Sequence, residues 1–112
     1  MLTVDALREL GADTQEGMAR CMNREDFYLR LVGMGIRDGG FDKLKAACEA
    51  GDLDAAFEAA HALKGVMANL SLTPISQRVS EVTELLRART QMDYGPMVDE
   101  ILEERDKFAA LL

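Results

Sequence analysis

The feature that most constrains the fold is a run of apolar residues that recur in alternating steps of three and four positions. Such steps place side chains on one face of an α-helix, which repeats about every 3.6 residues. This stripe covers about five helical turns, and a second stripe of the same kind follows it. No segment shows sustained period-two alternation, so the sequence predicts no strand. The first stripe is Leu53, Ala56, Ala60, Leu63, Met67 and Leu70, and the second is Ile75, Val79, Val82 and Leu86.

Capping and turn residues predict further helices in the first half of the chain. A short helix over Thr3–Leu10 comes first, and Asp13 with Glu16 then has the spacing of a capping box. Asn23 is expected to cap the next helix, and a Gly-Gly pair at 39–40 ends it before another begins. The apolar stripes of these last two helices are Phe27, Leu31 and Met34, and Phe41, Leu44 and Cys48.

The second half of the chain carries clearer helix boundaries. Asp52 is expected to cap the helix of the first stripe, and Thr73 to cap that of the second. Pro74 would then take the first helical position, where its missing N–H leaves no bond unmade. The run Asp-Tyr-Gly-Pro at 93–96 is typical of a turn. The apolar stripe of the last helix is Met97 or Val98, Ile101, Leu102, Phe108 and Leu112.

Long amphipathic helices joined by short turns cannot bury their stripes alone, so we expect them to pack as an antiparallel bundle. The short N-terminal helices should cover one end or flank of it. Since 112 residues is an ordinary length for one domain, the sequence predicts a single all-α domain over 1–112.

The charge of the chain argues against several classes of partner. The net charge at pH 7 is −7, which repels a phosphate backbone and an anionic membrane surface. We therefore expect neither nucleic acid nor a membrane as a partner. No apolar run approaches the ~20 residues that span a bilayer, and the N-terminus has no basic leader. These features indicate a cytoplasmic location.

Cysteine and methionine are expected to be structural. Cys21 and Cys48 form no C-x-x-C pair and are interpreted as free, buried thiols. The seven methionines are interpreted mostly as core filler. Zinc and di-metal sites need more histidine and cysteine ligands than this chain has, and no nucleotide-binding motif is present. We therefore expect no metal, no cofactor and no use of ATP by this chain alone.

The only histidine, His61, lies on the helix of the first stripe. At about 100° per residue, its side chain points roughly 130° away from the centre of that stripe, which predicts exposure to solvent. Lys64 and Gly65 follow three and four residues later and share this face. A glycine inside a helix costs up to about 1 kcal/mol relative to alanine, so Gly65 indicates that space is needed beside the histidine.

This combination of residues suits phosphoryl chemistry. A neutral imidazole nitrogen is a nucleophile that can form a covalent intermediate. Lys64 could offset the negative charge of a phosphoryl group as a point cation. A partner protein would then occupy the space beside Gly65.

The run Ala60–Leu70 resembles the signature of histidine-containing phosphotransfer (HPt) domains, which reads H-x-L-K-G followed by small residues and often Asn-Leu. The resemblance extends over nearly the whole chain, and Ser71 departs from it where many members carry glycine. It implies an antiparallel up-and-down four-helix bundle with short additional N-terminal helices.

The resemblance also implies a role for each residue of the site. His61 would accept a phosphoryl group from the aspartate of one receiver domain and pass it to another. Lys64 would stabilise its charge, and Gly65 would give steric clearance. The implied partners are a response-regulator receiver domain and/or a hybrid histidine kinase. Magnesium and most of the catalytic groups would belong to the receiver. The chain would therefore be a phosphocarrier rather than an enzyme. The implied docking patch adds Phe57 and Ala68, with Gln77 and Arg78 from the following helix.

Two other interpretations stay open. Chemotaxis-type histidine kinases carry a similar phosphoaccepting domain, which a kinase domain phosphorylates from ATP. The phosphoryl donor distinguishes that case from a relay between receivers. Alternatively, the bundle could bind and inhibit a receiver or kinase without being phosphorylated, although the intact His61, Lys64 and Gly65 weigh against this.

Overall fold

Helices make up all of the regular structure in the computed structural model, which describes residues 1–112. None of these helices has both the length and the apolar character that a bilayer crossing requires. The seven helices are α1 (Val4–Glu9), α2 (Thr14–Arg20), α3 (Glu25–Ile36), α4 (Gly40–Glu49), α5 (Leu53–Asn69), α6 (Thr73–Arg87) and α7 (Gly95–Ala109).

Helices α4 to α7 form a four-helix bundle. Each packs against the next along the chain, and α7 returns to pack against α4, so the four helices close a ring. The connections at 50–52 and 70–72 are short, which makes the helices that they join antiparallel neighbours. The predicted all-α, antiparallel up-and-down bundle with additional N-terminal helices is confirmed.

The core consists largely of the apolar stripes that the sequence predicts. A cluster of 23 buried residues extends from α1 to α7. Of the first predicted stripe, only Leu53 in the first turn of α5 is half-buried, and the other five residues are buried. In α6, all four residues of the predicted stripe are buried. The hydrophobic periodicity therefore predicted correctly which face of α5 and which face of α6 points into the core.

Helices α1 to α3 cover the end of the bundle where α5 turns into α6. The turn residue Ser71 is buried and has a left-handed backbone, with φ 57°. Its carbonyl accepts a hydrogen bond from the Asp13 N–H at 2.9 Å. Its hydroxyl donates to the Glu16 carboxylate at 3.0 Å and accepts from Arg20 at 3.1 Å. A left-handed residue favours glycine, but a glycine here would lose the two side-chain hydrogen bonds that Ser71 makes with α2.

Tyr28 secures the same turn from α3. It is fully buried, and its hydroxyl donates a hydrogen bond to the Leu70 carbonyl at 2.9 Å. A Cβ added at Gly17 of α2 would lie 2.5 Å from the tyrosine ring, so this glycine is required for packing. Burial, with smaller contributions from Cys21 and Asp13, raises the pKa of Tyr28 to about 12.

We expect the fold to lose stability above pH 10 in a way that depends on Tyr28. The unfolded hydroxyl ionises near pH 10.0 and the folded one near pH 12, so its contribution is complete below the first value and is lost as the pH rises through the second. The loss is of the order of 2 kcal/mol. Urea unfolding of the wild type and Tyr28→Phe, below pH 10 and near pH 12, measures it. Equal losses in the two proteins would contradict the assignment.

Two predicted helix caps are wrong. Asn23 does not cap α3, because it has a left-handed backbone with φ 57° and Arg24 occupies the cap position without a side-chain hydrogen bond. Leu72 is the cap residue of α6, and Thr73 is the first residue of that helix. Pro74 still lies in the first turn, one position later than predicted.

The predicted stripe of α3 is displaced by one residue. Met34 is 63% exposed, whereas Tyr28, Val32 and Ile36 are buried. The rotation follows from Tyr28, whose hydroxyl reaches a backbone acceptor only when its own face turns inward. The interpretation of most methionines as core filler is also wrong, because four of the seven are exposed, whereas Met67 is buried and Met18 and Met97 pack against the core.

Smaller differences concern the chain ends and the thiols. Helix α1 begins at Val4 after the cap residue Thr3, which is within one residue of the prediction. Leu112 does not join the core and is 47% exposed, because α7 ends at Ala109. Both cysteines are free thiols, with Cys21 buried and Cys48 only half-buried.

Candidate functional site

Helix α5 determines where His61 points. Asp52 caps this helix as predicted, accepting a hydrogen bond from the Ala55 N–H at 3.0 Å. Burial of Ala60 and Leu63 then fixes the rotation of the helix in the bundle. His61 is exposed, as the sequence predicts, so a partner can reach its imidazole from solvent.

Phe57 lies one turn before His61 and stacks on it. The two ring centroids are 5.5 Å apart, and the ring planes differ by 14°. Phe57 is half-buried and packs against the core. The guanidinium of Arg87 in α6 lies over the same phenyl ring, 5.0 Å from its centroid. Both helices therefore hold this ring beside the imidazole.

Lys64 and Glu84 bring opposite charges to the face of His61. Lys64 is half-buried and lies one turn after the histidine on α5. Glu84 is exposed on α6, and its carboxylate accepts a hydrogen bond from Arg87 at 2.8 Å. That hydrogen bond and the charge of Arg87 lower the pKa of Glu84, with smaller contributions from Lys64 and His61. Glu84 is thus close enough to interact electrostatically with both residues.

The space beside the histidine is open on the Gly65 side. Gly65 is exposed, and a Cβ added there would meet no atom within 4 Å. Its backbone is not left-handed, so neither packing nor conformation within the chain requires glycine. Ala68, the next small residue on this face, is also exposed. The fold therefore gives no reason for the missing side chain at this position.

The structure distinguishes the two candidate docking residues on α6. Gln77 is exposed and lies two turns before Glu84 on the same face of the helix. Arg78 is half-buried, and its guanidinium donates a hydrogen bond to the Pro74 carbonyl of its own helix at 3.0 Å. Of the two, Gln77 is the better placed to meet a partner that docks over the histidine.

Sequence reasoning missed two residues of α6 that lie at the site, Glu84 and Arg87. Arg87 lies over Phe57, and Glu84 interacts electrostatically with His61, only because α6 runs antiparallel to α5. The available signal was the short connection 70–72, which fixes the alignment of the two helices. Arg89, two residues after the end of α6, forms a further ion pair with Asp54 of α5.

The site is an open surface rather than an enclosed pocket. A groove of about 380 Å³ begins beside Phe57 and runs between the start of α5 and the end of α6. No group of three or more histidine, cysteine, aspartate or glutamate side chains is arranged to hold a metal ion. The groove is lined by Asp54, Phe57, Glu58, Leu86, Arg87 and Arg89.

Comparison with known families adds to this geometry. The sequence profile of the Hpt domain matches residues 40–111, which span the bundle from α4 to α7 and make up more than half of the chain. No curated protein and no solved structure matches the chain significantly. Hpt domains are phosphocarrier modules rather than kinases. The bundle, its exposed histidine and the matching profile lead to one conclusion: the chain belongs to the Hpt domain family, with a phosphotransfer role in two-component signalling.

Proposed function

We propose that this chain relays a phosphoryl group between the aspartates of receiver domains, through a phosphohistidine at His61. The observation that carries the proposal is the exposed imidazole on α5 of an Hpt bundle, beside a half-buried lysine and an open glycine position. An exposed nucleophile suits a donor that arrives on another protein. The chain would then need no nucleotide site of its own.

The proposed transfer conserves atoms and charge in each direction. A neutral imidazole nitrogen attacks the phosphorus of an aspartyl phosphate on the incoming receiver. The N–P bond forms as the acyl O–P bond breaks, and the aspartate leaves as a carboxylate. In the second half-reaction, the carboxylate of another receiver attacks the same phosphorus and the imidazole recovers its lone pair.

Lys64 supplies positive charge for the transferred group in this proposal. Glu84, the acid that faces it from α6, is engaged by Arg87 at 2.8 Å, which leaves the ammonium group available. A lysine near a developing phosphoryl anion stabilises it as a point cation. Magnesium and the remaining catalytic groups would reside on the receiver. Phe57, Ala68 and Gln77 would belong to the docking surface around the histidine.

An assay with two phosphoryl donors tests the proposal. The chain is incubated with a phosphorylated receiver domain, or with ATP and a histidine-kinase domain, and its intact mass is measured at neutral and acid pH. We expect one acid-labile phosphoryl group from the receiver. Labelling from the kinase alone would indicate a phosphoaccepting domain of the chemotaxis type. No labelling from either donor would indicate a binding module and overturn the relay.

A further inference from the structure

The histidine of this site is oriented by an aromatic ring. The Phe57 ring is nearly parallel to the His61 imidazole, at 14° and 5.5 Å between centroids. This is an offset-stacked arrangement, which two π-systems prefer over a face-to-face sandwich. An exposed side chain on a helix would otherwise exchange among its rotamers on the nanosecond scale. The stack therefore favours one orientation of the nucleophile.

The phenyl ring is itself held from the second helix. The Arg87 guanidinium lies 5.0 Å from the centroid of Phe57, and the same guanidinium donates to Glu84 at 2.8 Å. A cation over an aromatic face is attracted by the ring quadrupole. Glu84 lies one helical turn before Arg87 on α6, and the ion pair between them limits the positions that the guanidinium can adopt. Glu84 thus restrains Arg87, Arg87 restrains Phe57, and Phe57 restrains the imidazole.

We propose that Phe57, held in place by Arg87 and Glu84, is a positioning residue that presents the His61 imidazole for phosphoryl transfer. This inference rests on the proposed phosphohistidine function and goes beyond docking, because it concerns the nucleophile before any partner arrives. A nucleophile that is already oriented spends less conformational entropy on reaching the transition state. The benefit therefore applies to any phosphoryl donor, large or small.

A small donor separates positioning from docking. Phosphoramidate has no protein surface; the imidazole nitrogen attacks its phosphorus, a new N–P bond forms, the donor N–P bond breaks and ammonia leaves. Restraining one side chain is equivalent to about a three- to tenfold change in rate. We therefore expect Phe57→Leu to be phosphorylated about three- to tenfold more slowly by phosphoramidate than the wild type.

The chain provides a matched control for this variant. Phe27 is also half-buried and also lies beneath arginine guanidinium groups, those of Arg24 and Arg30, at 5.7 Å and 5.8 Å. It stacks on no histidine, because the only histidine of the chain, His61, stacks on Phe57. Phe27→Leu should therefore react with phosphoramidate at the wild-type rate. Slowing of both variants alike would attribute the effect to general loosening of the bundle and overturn the proposal.

Arg87 provides a second, independent test that leaves the phenyl ring in place. Arg87→Gln combined with Glu84→Gln removes the cation without freeing a carboxylate beside Lys64 and should slow the reaction with phosphoramidate, whereas Arg87→Lys alone retains a cation and should keep part of the wild-type rate. The Hα–Hβ NMR couplings of His61 should indicate one dominant rotamer in the wild type and averaging in Phe57→Leu. This spectroscopic change would not follow from a role in docking.

The outcomes distinguish this inference from the proposed function. If Phe57→Leu slows transfer from a receiver but not from phosphoramidate, Phe57 serves docking only and the inference is overturned. If neither rate changes, the inference is also overturned. If the wild type accepts no phosphoryl group from either donor, the failure lies with the proposed function instead.

Discussion

His61→Gln should fold like the wild type and accept no phosphoryl group from any donor. The side chain is exposed on α5, and the change removes no buried contact. Glutamine is at least as good a helix former as histidine, and the lost stacking on Phe57 is worth about 1 kcal/mol at most at such a surface position. Stability should therefore stay within about 1 kcal/mol of the wild type.

The loss of phosphorylation should be complete, because His61 is the only histidine in the chain. An amide side chain has no basic nitrogen lone pair and cannot replace the imidazole as nucleophile. Intact mass after incubation with a phosphorylated receiver measures the effect, and circular dichroism with urea unfolding checks the fold. An acid-labile phosphoryl group on the folded variant would place the acceptor elsewhere and refute the mechanism.

The sequence was sufficient to predict the part of the fold that carries the histidine. In α5, residues such as Ala60 and Leu63 recur at helical spacing and are buried, so the opposite face had to be exposed. Hydrophobic burial is the dominant favourable contribution to folding and has the period of the helix, which makes such predictions dependable for long stripes. The exposure of His61 follows from that rotation alone.

Short or glycine-containing segments were harder to predict. In α3 the stripe through Met34 and the stripe through Tyr28 are shifted by one position along the chain, and either is consistent with an amphipathic helix. The choice was decided by a long-range contact, the hydrogen bond from Tyr28 to the carbonyl of Leu70. Ser71 is similar, because its strained backbone is compensated by partners in α2 that are more than 50 residues away along the chain. Such tertiary contacts leave no local pattern.

Reasoning from the residues alone placed the candidate site on one helix, and only the resemblance added Gln77 and Arg78 from the next helix. Lys64 and Gly65 were found because they share a face with His61 on α5. Arg87 and Glu84 belong to another helix, and their places depend on how α6 packs against α5. Their own spacing of three residues is equally consistent with an ordinary surface ion pair.

Gly65→Leu should have opposite effects on stability and on phosphoryl transfer. The added Cβ meets no atom within 4 Å, and leucine is a much better helix former than glycine. The free energy of unfolding should therefore rise by up to about 1 kcal/mol. A bulky side chain one turn after His61 should, however, obstruct a docking receiver, and a steric misfit of about 1–3 kcal/mol corresponds to transfer that is slower by a factor of about 5 to 150.

A leucine elsewhere provides the control for added apolar surface. Ala110 is exposed at the end of α7, the helix that lies diagonally across the bundle from α5. Ala110→Leu should leave transfer from the receiver unchanged. Stopped-flow transfer rates and urea unfolding on the two variants and the wild type measure both effects. If Gly65→Leu is more stable and transfers at the wild-type rate, the glycine provides no clearance for a partner. If it is less stable, the space beside it is not open. Only the combination of higher stability and slower transfer shows that this position is kept small for a partner.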